Sequence, residues 1–189
     1  MGNKKIIMGM VSLLLLFVLS ACAGNSGNKD KHSNEGIPSS SHEEMDRHSD
    51  SGYVPKGLKK AKHPAFKVGS HAIVNSDHMM GMKGAQATIV GAFDTTVYAV
   101  SYTPTTGGER VNNHKWVIQQ EIKDAGNKPF KPGEKVTLET DHMKGMKGAK
   151  AVIDSSQHTT VYMIDYKPTT GGKEVKNHKW VVGSELSKP

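Results

Sequence analysis

Cysteine is almost absent: the 189-residue chain has one, Cys22. A single thiol excludes an intramolecular disulfide and a thiolate metal cluster. Aromatic residues make up only 6% of the chain, with two tryptophans, so each large ring weighs heavily in any core that forms. No Gly-x-Ser-x-Gly, phosphate-binding glycine loop or His-Glu-x-x-His occurs, which removes the usual signatures of hydrolases, nucleotide enzymes and metalloproteases and leaves an enzyme unexpected. Long apolar runs are scarce too. The one at residues 6–19 falls short of the ~20 residues that span a bilayer comfortably.

That run comes after Lys4 and Lys5 and ends at Leu19-Ser20-Ala21-Cys22, the layout of an export leader. The last four residues resemble the lipobox of bacterial lipoproteins, in which the cysteine sulfur takes a diacylglycerol and the chain is cut before it. Residues 1–21 are thus expected to be a signal peptide and Cys22 the lipidated first residue of a protein on the outer face of the cytoplasmic membrane. Residues 22–60 are rich in Ser, Asn, Gly, Lys, Asp, Glu and His and poor in large apolar side chains, a composition that does not fold alone. As a flexible tether of roughly 40 residues they would reach about 35 Å. His32, His42, Met45 and His48 within it suit a metal-binding tract or a polar spacer equally well. The net charge of +7 gives the chain an electrostatic reason to lie on anionic headgroups or wall polymers. Its location argues against nucleic acid as a partner.

Beyond the tether, one module is present twice. Residues 66–122 and 130–186 align without a gap at an offset of 64, with about 30 of 57 positions identical. Identity concentrates in Asp-His-Met-x-Gly-Met-Lys-Gly-Ala, Thr-Thr-Val-Tyr, Pro-Thr-Thr-Gly-Gly and Val-x-Asn-His-Lys-Trp-Val. Short alternating runs bounded by glycine and proline predict strands. In the second copy these are residues 133–139, 149–153, 159–166 and 179–182, with Lys167-Pro-Thr-Thr-Gly-Gly-Lys as a turn. The expected fold is all-β with little helix: two tandem small SH3-like barrels, residues 61–124 and 125–189, behind a disordered tether.

Two constellations can carry chemistry. Each Asp-His-Met loop offers one imidazole and two thioethers within five residues: His78, Met79 and Met82 in the first copy, His142, Met143 and Met146 in the second. Thioethers select soft ions, Cu(I) above all. Methionine is also an ordinary core filler. Yet of the seven methionines from Cys22 onward, five lie in these two loops. Asp77 and Asp141 are placed to orient the neighbouring imidazoles. The second constellation is Asn-His-Lys-Trp, where alternation would put His114 with Trp116 and His178 with Trp180 on one strand face. Those histidines are either core residues or further ligands folded back to the loops, and a tryptophan could shield a soft ion from water. His63, His71 and His158 lack repeat partners and are expected on the surface.

At these strings the chain, from about residue 55 onward, resembles the YdhK-like family of Gram-positive surface lipoproteins, in which the domain occurs as a tandem pair. One branch of that family is similar to CopL, an extracellular copper-binding lipoprotein. The resemblance implies copper sequestration outside the membrane and copper resistance, without naming ligands. The competing expectation is a non-catalytic module that binds anionic cell-wall polymer through its lysines. A copper oxidase accessory fits less well, because no substrate pocket or catalytic group is evident.

Overall fold

Alternating β-branched and aromatic residues favour a pleated, half-buried backbone, and strands are the main regular structure of the chain that the structure describes. The computed structural model describes residues 51–189; Cys22, His32, His42, Met45 and His48 lie outside them. In order the strands are β1 (Lys59–Lys60), β2 (His71–Val74), β3 (Gln86–Tyr102), β4 (Val111–Ile118), β5 (Lys135–Thr137), β6 (Lys150–Tyr166), β7 (Val175–Val182) and β8 (Leu186–Ser187). The helical elements among the described residues are two short 3-10 turns, Gln119–Glu121 and Gly183–Glu185.

The strands form one open antiparallel sheet of eight, in the order β5-β6-β3-β2-β8, with β1 and β4 on β3 and β7 on β6. The sheet does not close on itself, and separate SH3-like barrels, one per repeat, are not seen. At its centre β3 and β6, 17 residues each, pair along their whole length. At about 3.3 Å per residue each spans roughly 55 Å, well beyond a usual strand. The predicted strands 149–153 and 159–166 are therefore one. The polar stretch between them, Asp154-Ser-Ser-Gln-His, has turn composition, yet Ser155 to His158 lie opposite Ala99 to Thr96. Cross-strand hydrogen bonding outweighs local propensity there.

Thr95 faces Thr159, its own repeat equivalent. This pair marks an approximate two-fold axis that exchanges the repeats. Register shifts at the equivalent positions Val90 and Asp154 change which face the following residues present. One face then carries a core at each end, and the opposite face a third core between them.

Each end core is built from both repeats. Val74, Met82, Ala87 and Ile89 of the first copy pack with Tyr162, Ile164, Tyr166, Val181 and Leu186 of the second. Reciprocally, Tyr98, Val100, Tyr102, Val117 and Ile122 pack with Val136, Leu138, Met146 and Ile153. The tails show the same exchange: β8 pairs with β2, and Ile122 bridges Leu138. The third core joins Phe93, Val97, Trp116 and Ile118 to Val161, Met163, Trp180 and Val182.

Residues 53–60, expected at the end of the tether, belong to the fold. Val54 and Leu58 pack on the third core, and Lys59 and Lys60 pair with Asp94 and Phe93. The equivalent stretch of β6 has no such cover, which matches its sequence: residues 90–94 read Val-Gly-Ala-Phe-Asp, and residues 154–158 are polar and exposed.

Candidate functional site

The Asp-His-Met loops are tight turns between the first and second strands of each repeat. Met82 N donates to Met79 O and Gly84 N to Val74 O; Met146 N donates to Met143 O and Gly148 N to Leu138 O. Gly81 and Gly145 adopt φ of +75° and +78°, where a side chain is strained. They are also clamped by the Pro-Thr-Thr-Gly-Gly loop of the other repeat. Thr169 N donates to Gly81 O and Thr105 N to Gly145 O, both at 2.8 Å. A Cβ on Gly81 would lie 2.5 Å from Thr170 Oγ1, and one on Gly145 2.6 Å from Thr106 Oγ1. Two of the repeated strings are thus halves of one contact, made across the repeats.

This clamp turns the loop histidines toward the 3-10 turns. His78 Nε2 lies 2.8 Å from Glu185 Oε1, and His142 Nε2 lies 2.8 Å from Glu121 Oε1. Glu185 Oε2 also accepts from Trp116 Nε1 at 2.9 Å and Val182 N at 3.0 Å. Glu121 accepts from Trp180 Nε1 at 3.0 Å and Ile118 N at 3.1 Å. The tryptophans therefore serve as indole donors to a buried carboxylate, Glu121, and a half-buried one, Glu185, while Lys115 and Lys179 sit 5.2 and 5.8 Å from their ring centroids.

The carboxylates that hold the histidines are Glu185 and Glu121, in place of the neighbouring Asp77 and Asp141; those two are exposed at the groove edge. The sequence does carry a signal for the glutamates. In tails that otherwise diverge, Ile-Gln-Gln-Glu-Ile against Val-Gly-Ser-Glu-Leu, the glutamate alone is shared.

Burial opposes ionisation of Glu121, but the His142 charge and hydrogen bond, the Ile118 amide and the Trp180 indole outweigh it and hold the carboxyl below its ordinary 4.5. Glu185 is lowered likewise: burial raises it, and His78, the Val182 amide and the Trp116 indole bring it down. A carboxyl depressed in the folded state stabilises the fold above its unfolded value, and that contribution is lost as pH falls through the folded one. Thermal stability should therefore fall below about pH 4.5. A Glu121→Gln, Glu185→Gln double variant should show a flatter Tm against pH profile in that range.

Because an ionised carboxylate only accepts, both histidines must donate through Nε2. Nδ1 of His78 and Nδ1 of His142 are buried with no hydrogen-bond partner among the described residues. Both rings line a groove of about 790 Å³ shared by the two repeats, together with His114, His178, Met79 and Met143. Lys115, Lys179, Asn75 and Asn113 complete parts of its wall.

The structure divides the predicted ligands. His78, His142, His114, His178, Met79 and Met143 share the groove, whereas Met82 and Met146 are fully buried in the two end cores, where packing accounts for them. His114 and Trp116 do not share a face. A register shift between Tyr98 and Val100 inserts a residue in β4, so Trp116 joins the third core while His114 stacks edge-on against Tyr102. His178 packs the same way on Tyr166. His63, His71 and His158 are exposed. Among the described residues, no three His, Cys, Asp or Glu side chains cluster closely enough to hold an ion on their own.

Comparison with known proteins places this architecture. The family described as "Protein of unknown function (DUF1541)" matches twice, at residues 68–119 and 132–183. The chain is 60% identical over 187 residues to "Uncharacterized protein YdhK" of Bacillus subtilis (strain 168), covering 99% of this chain and 91% of that protein. It is also similar to the crystal structure of a DUF1541 family protein, YdhK of that strain, at 62% identity and a TM-score of 0.76, over 78% of this chain and all of the other. The solution structure of the YdhK C-terminal domain matches at 66% identity and a TM-score of 0.63, over 65% of this chain and 93% of that one. With two matched segments that make up the greater part of the chain and a 60% identical relative, this chain belongs to the DUF1541 family.

Proposed function

We propose that the protein is a binding protein for a soft metal ion, copper as Cu(I), held in the histidine-methionine groove at the outer face of the cytoplasmic membrane, where it sequesters copper and supports copper resistance. The observation that carries this reading is the pair of buried, unpartnered Nδ1 atoms facing a groove that also holds Met79 and Met143. An imidazole nitrogen that neither solvent nor protein satisfies is costly to bury, and a metal ion removes that cost. Imidazole with thioether is a donor set for copper, whereas Mg(II) and Ca(II) take oxygen. The lack of a three-residue His and carboxylate cluster among the described residues disfavours a tetrahedral zinc cage. The leader and the lipidated Cys22 supply the anchor in this reading.

Anaerobic Cu(I) titration of the metal-free protein, residues 23–189, against a chromogenic chelator tests it. Uptake of two equivalents is expected, with weaker competition by Zn(II) and near-equal competition by Ag(I). No uptake would sink the copper reading. The second reading is an anionic wall polymer meeting Lys115 and Lys179 at the groove; salt-sensitive retention on purified wall material, indifferent to metal, would favour that one.

A further inference from the structure

Resting on the copper reading, we infer that the groove holds two equivalent ions, each between a loop histidine of one repeat and a strand histidine of the other, His142 with His114 and His78 with His178. Glu121 and Glu185 are the positioning residues that turn the loop histidines' Nδ1 toward the ion.

Distance supports the first pair. A metal-bound imidazole nitrogen lies about 2 Å from the ion and about 1 Å from its own ring centre, so two imidazoles on one ion have centres about 5–6 Å apart, the upper value being that of a near-linear N–metal–N arrangement. The His114 and His142 ring centres are 6.3 Å apart, with planes tilted by 40°. The side chain of His142 is 8% exposed, and its Nδ1 is buried without a partner. The second pair occupies the repeat-equivalent positions in the same groove. Met143 and Met79, adjacent in sequence to the loop histidines and lining the groove, are the thioethers each pair would use.

The positioning role rests on acceptor chemistry. An imidazole in a tight loop has two tautomers, and the partner of one nitrogen decides which lone pair is left for a metal. Glu121 has no proton to give, so the neutral form of His142 keeps its proton on Nε2 and its lone pair on Nδ1. Each glutamate reaches a histidine of the other repeat, as Glu121 does His142 and Glu185 does His78. One composite site therefore takes His114 and Glu121 from the first copy and His142 and Met143 from the second.

Two measurements test this. Long-range 1H–15N correlation on the metal-free protein should show both loop histidines protonated on Nε2; protonation on Nδ1 would overturn the positioning role whether or not copper binds. Anaerobic Cu(I) titration of double variants then tests the pairing. His114→Ala with His142→Ala should lose one equivalent of two, and His142→Ala with His178→Ala should lose both. The reverse pattern would establish pairing within repeats and overturn the cross-repeat assignment. Glu121→Gln should weaken one equivalent by roughly 10–100-fold and leave the other unchanged, with circular dichroism confirming the fold. Equal weakening of both, or of neither, would remove Glu121 from the site. Failure of the unaltered protein to take up Cu(I) would sink the copper reading, and the inferred sites with it.

Discussion

Glu121→Ala should destabilise the protein by about 3–5 kcal/mol, the range for breaking a buried pair by removing one partner. The substitution strands three donors at once: His142 Nε2, Trp180 Nε1 and Ile118 N. Trp180 is fully buried and His142 nearly so, so the donors lose their acceptor in a largely desolvated setting. For a unit of this size the loss corresponds to a fall in Tm of roughly 10–20 °C in scanning calorimetry. Glu185→Ala breaks the same pattern, but the side chains of Glu185 and His78 are both 14% exposed against 7% and 8% for Glu121 and His142. Its Tm should fall about half as far. Equal, small shifts would mean that both carboxylates behave as surface ion pairs.

The strand-forming stretches were legible in the sequence, though not their extents, because alternation and turn chemistry are local. Thr-Thr-Val-Tyr and the Pro-Thr-Thr-Gly-Gly turn lie where the pattern puts them. Which strand pairs with which was not legible. A gapless repeat suggests two self-contained barrels, and nothing in the periodicity of Ile89 or Val100 tells whether its core neighbours come from its own copy or the other. The bulges at Val90 and Asp154 were hidden for a related reason: a bulge is a relation between two strands, and each strand alone reads as a regular or broken run.

At the site, the loop histidines and methionines could be proposed from residue type, and four of those six side chains do face the groove. Met82 and Met146 could not be separated from them, because thioether packing and thioether ligation have the same sequence. Glu121 and Glu185 escaped notice as lone identities in divergent tails. Their significance lies in reaching across the two-fold axis, a distance of some hundred residues for His78 and Glu185.

The same exchange predicts that neither repeat folds as a monomer. A fragment of residues 51–126 keeps Tyr98, Val100 and Tyr102 but loses Val136, Leu138 and Met146, the other half of their core. It also keeps Ile89 and Met82 while losing Tyr162, Ile164 and Tyr166. At about 75 residues a chain has little surplus stability, and half a core does not supply it. Because the axis exchanges equivalent residues, two copies of one fragment can rebuild the sheet as an isologous dimer with Thr95 on Thr95. The first-repeat fragment should do so better than residues 127–189. Position 93 is a phenylalanine packed edge-on to Trp180, which a first-repeat dimer would reproduce against Trp116, whereas the second repeat has Gln157 there and lacks the covering arm with Val54 and Leu58. Analytical ultracentrifugation with circular dichroism over a dilution series should therefore show each fragment unfolded at low concentration. The first should gain β structure as it dimerises, and an equimolar mixture of the two should fold at lower concentration than either alone. A fragment that stays folded and monomeric on dilution would show that one repeat can close its own core, and would move the shared cores from a requirement of folding to a consequence of tandem linkage.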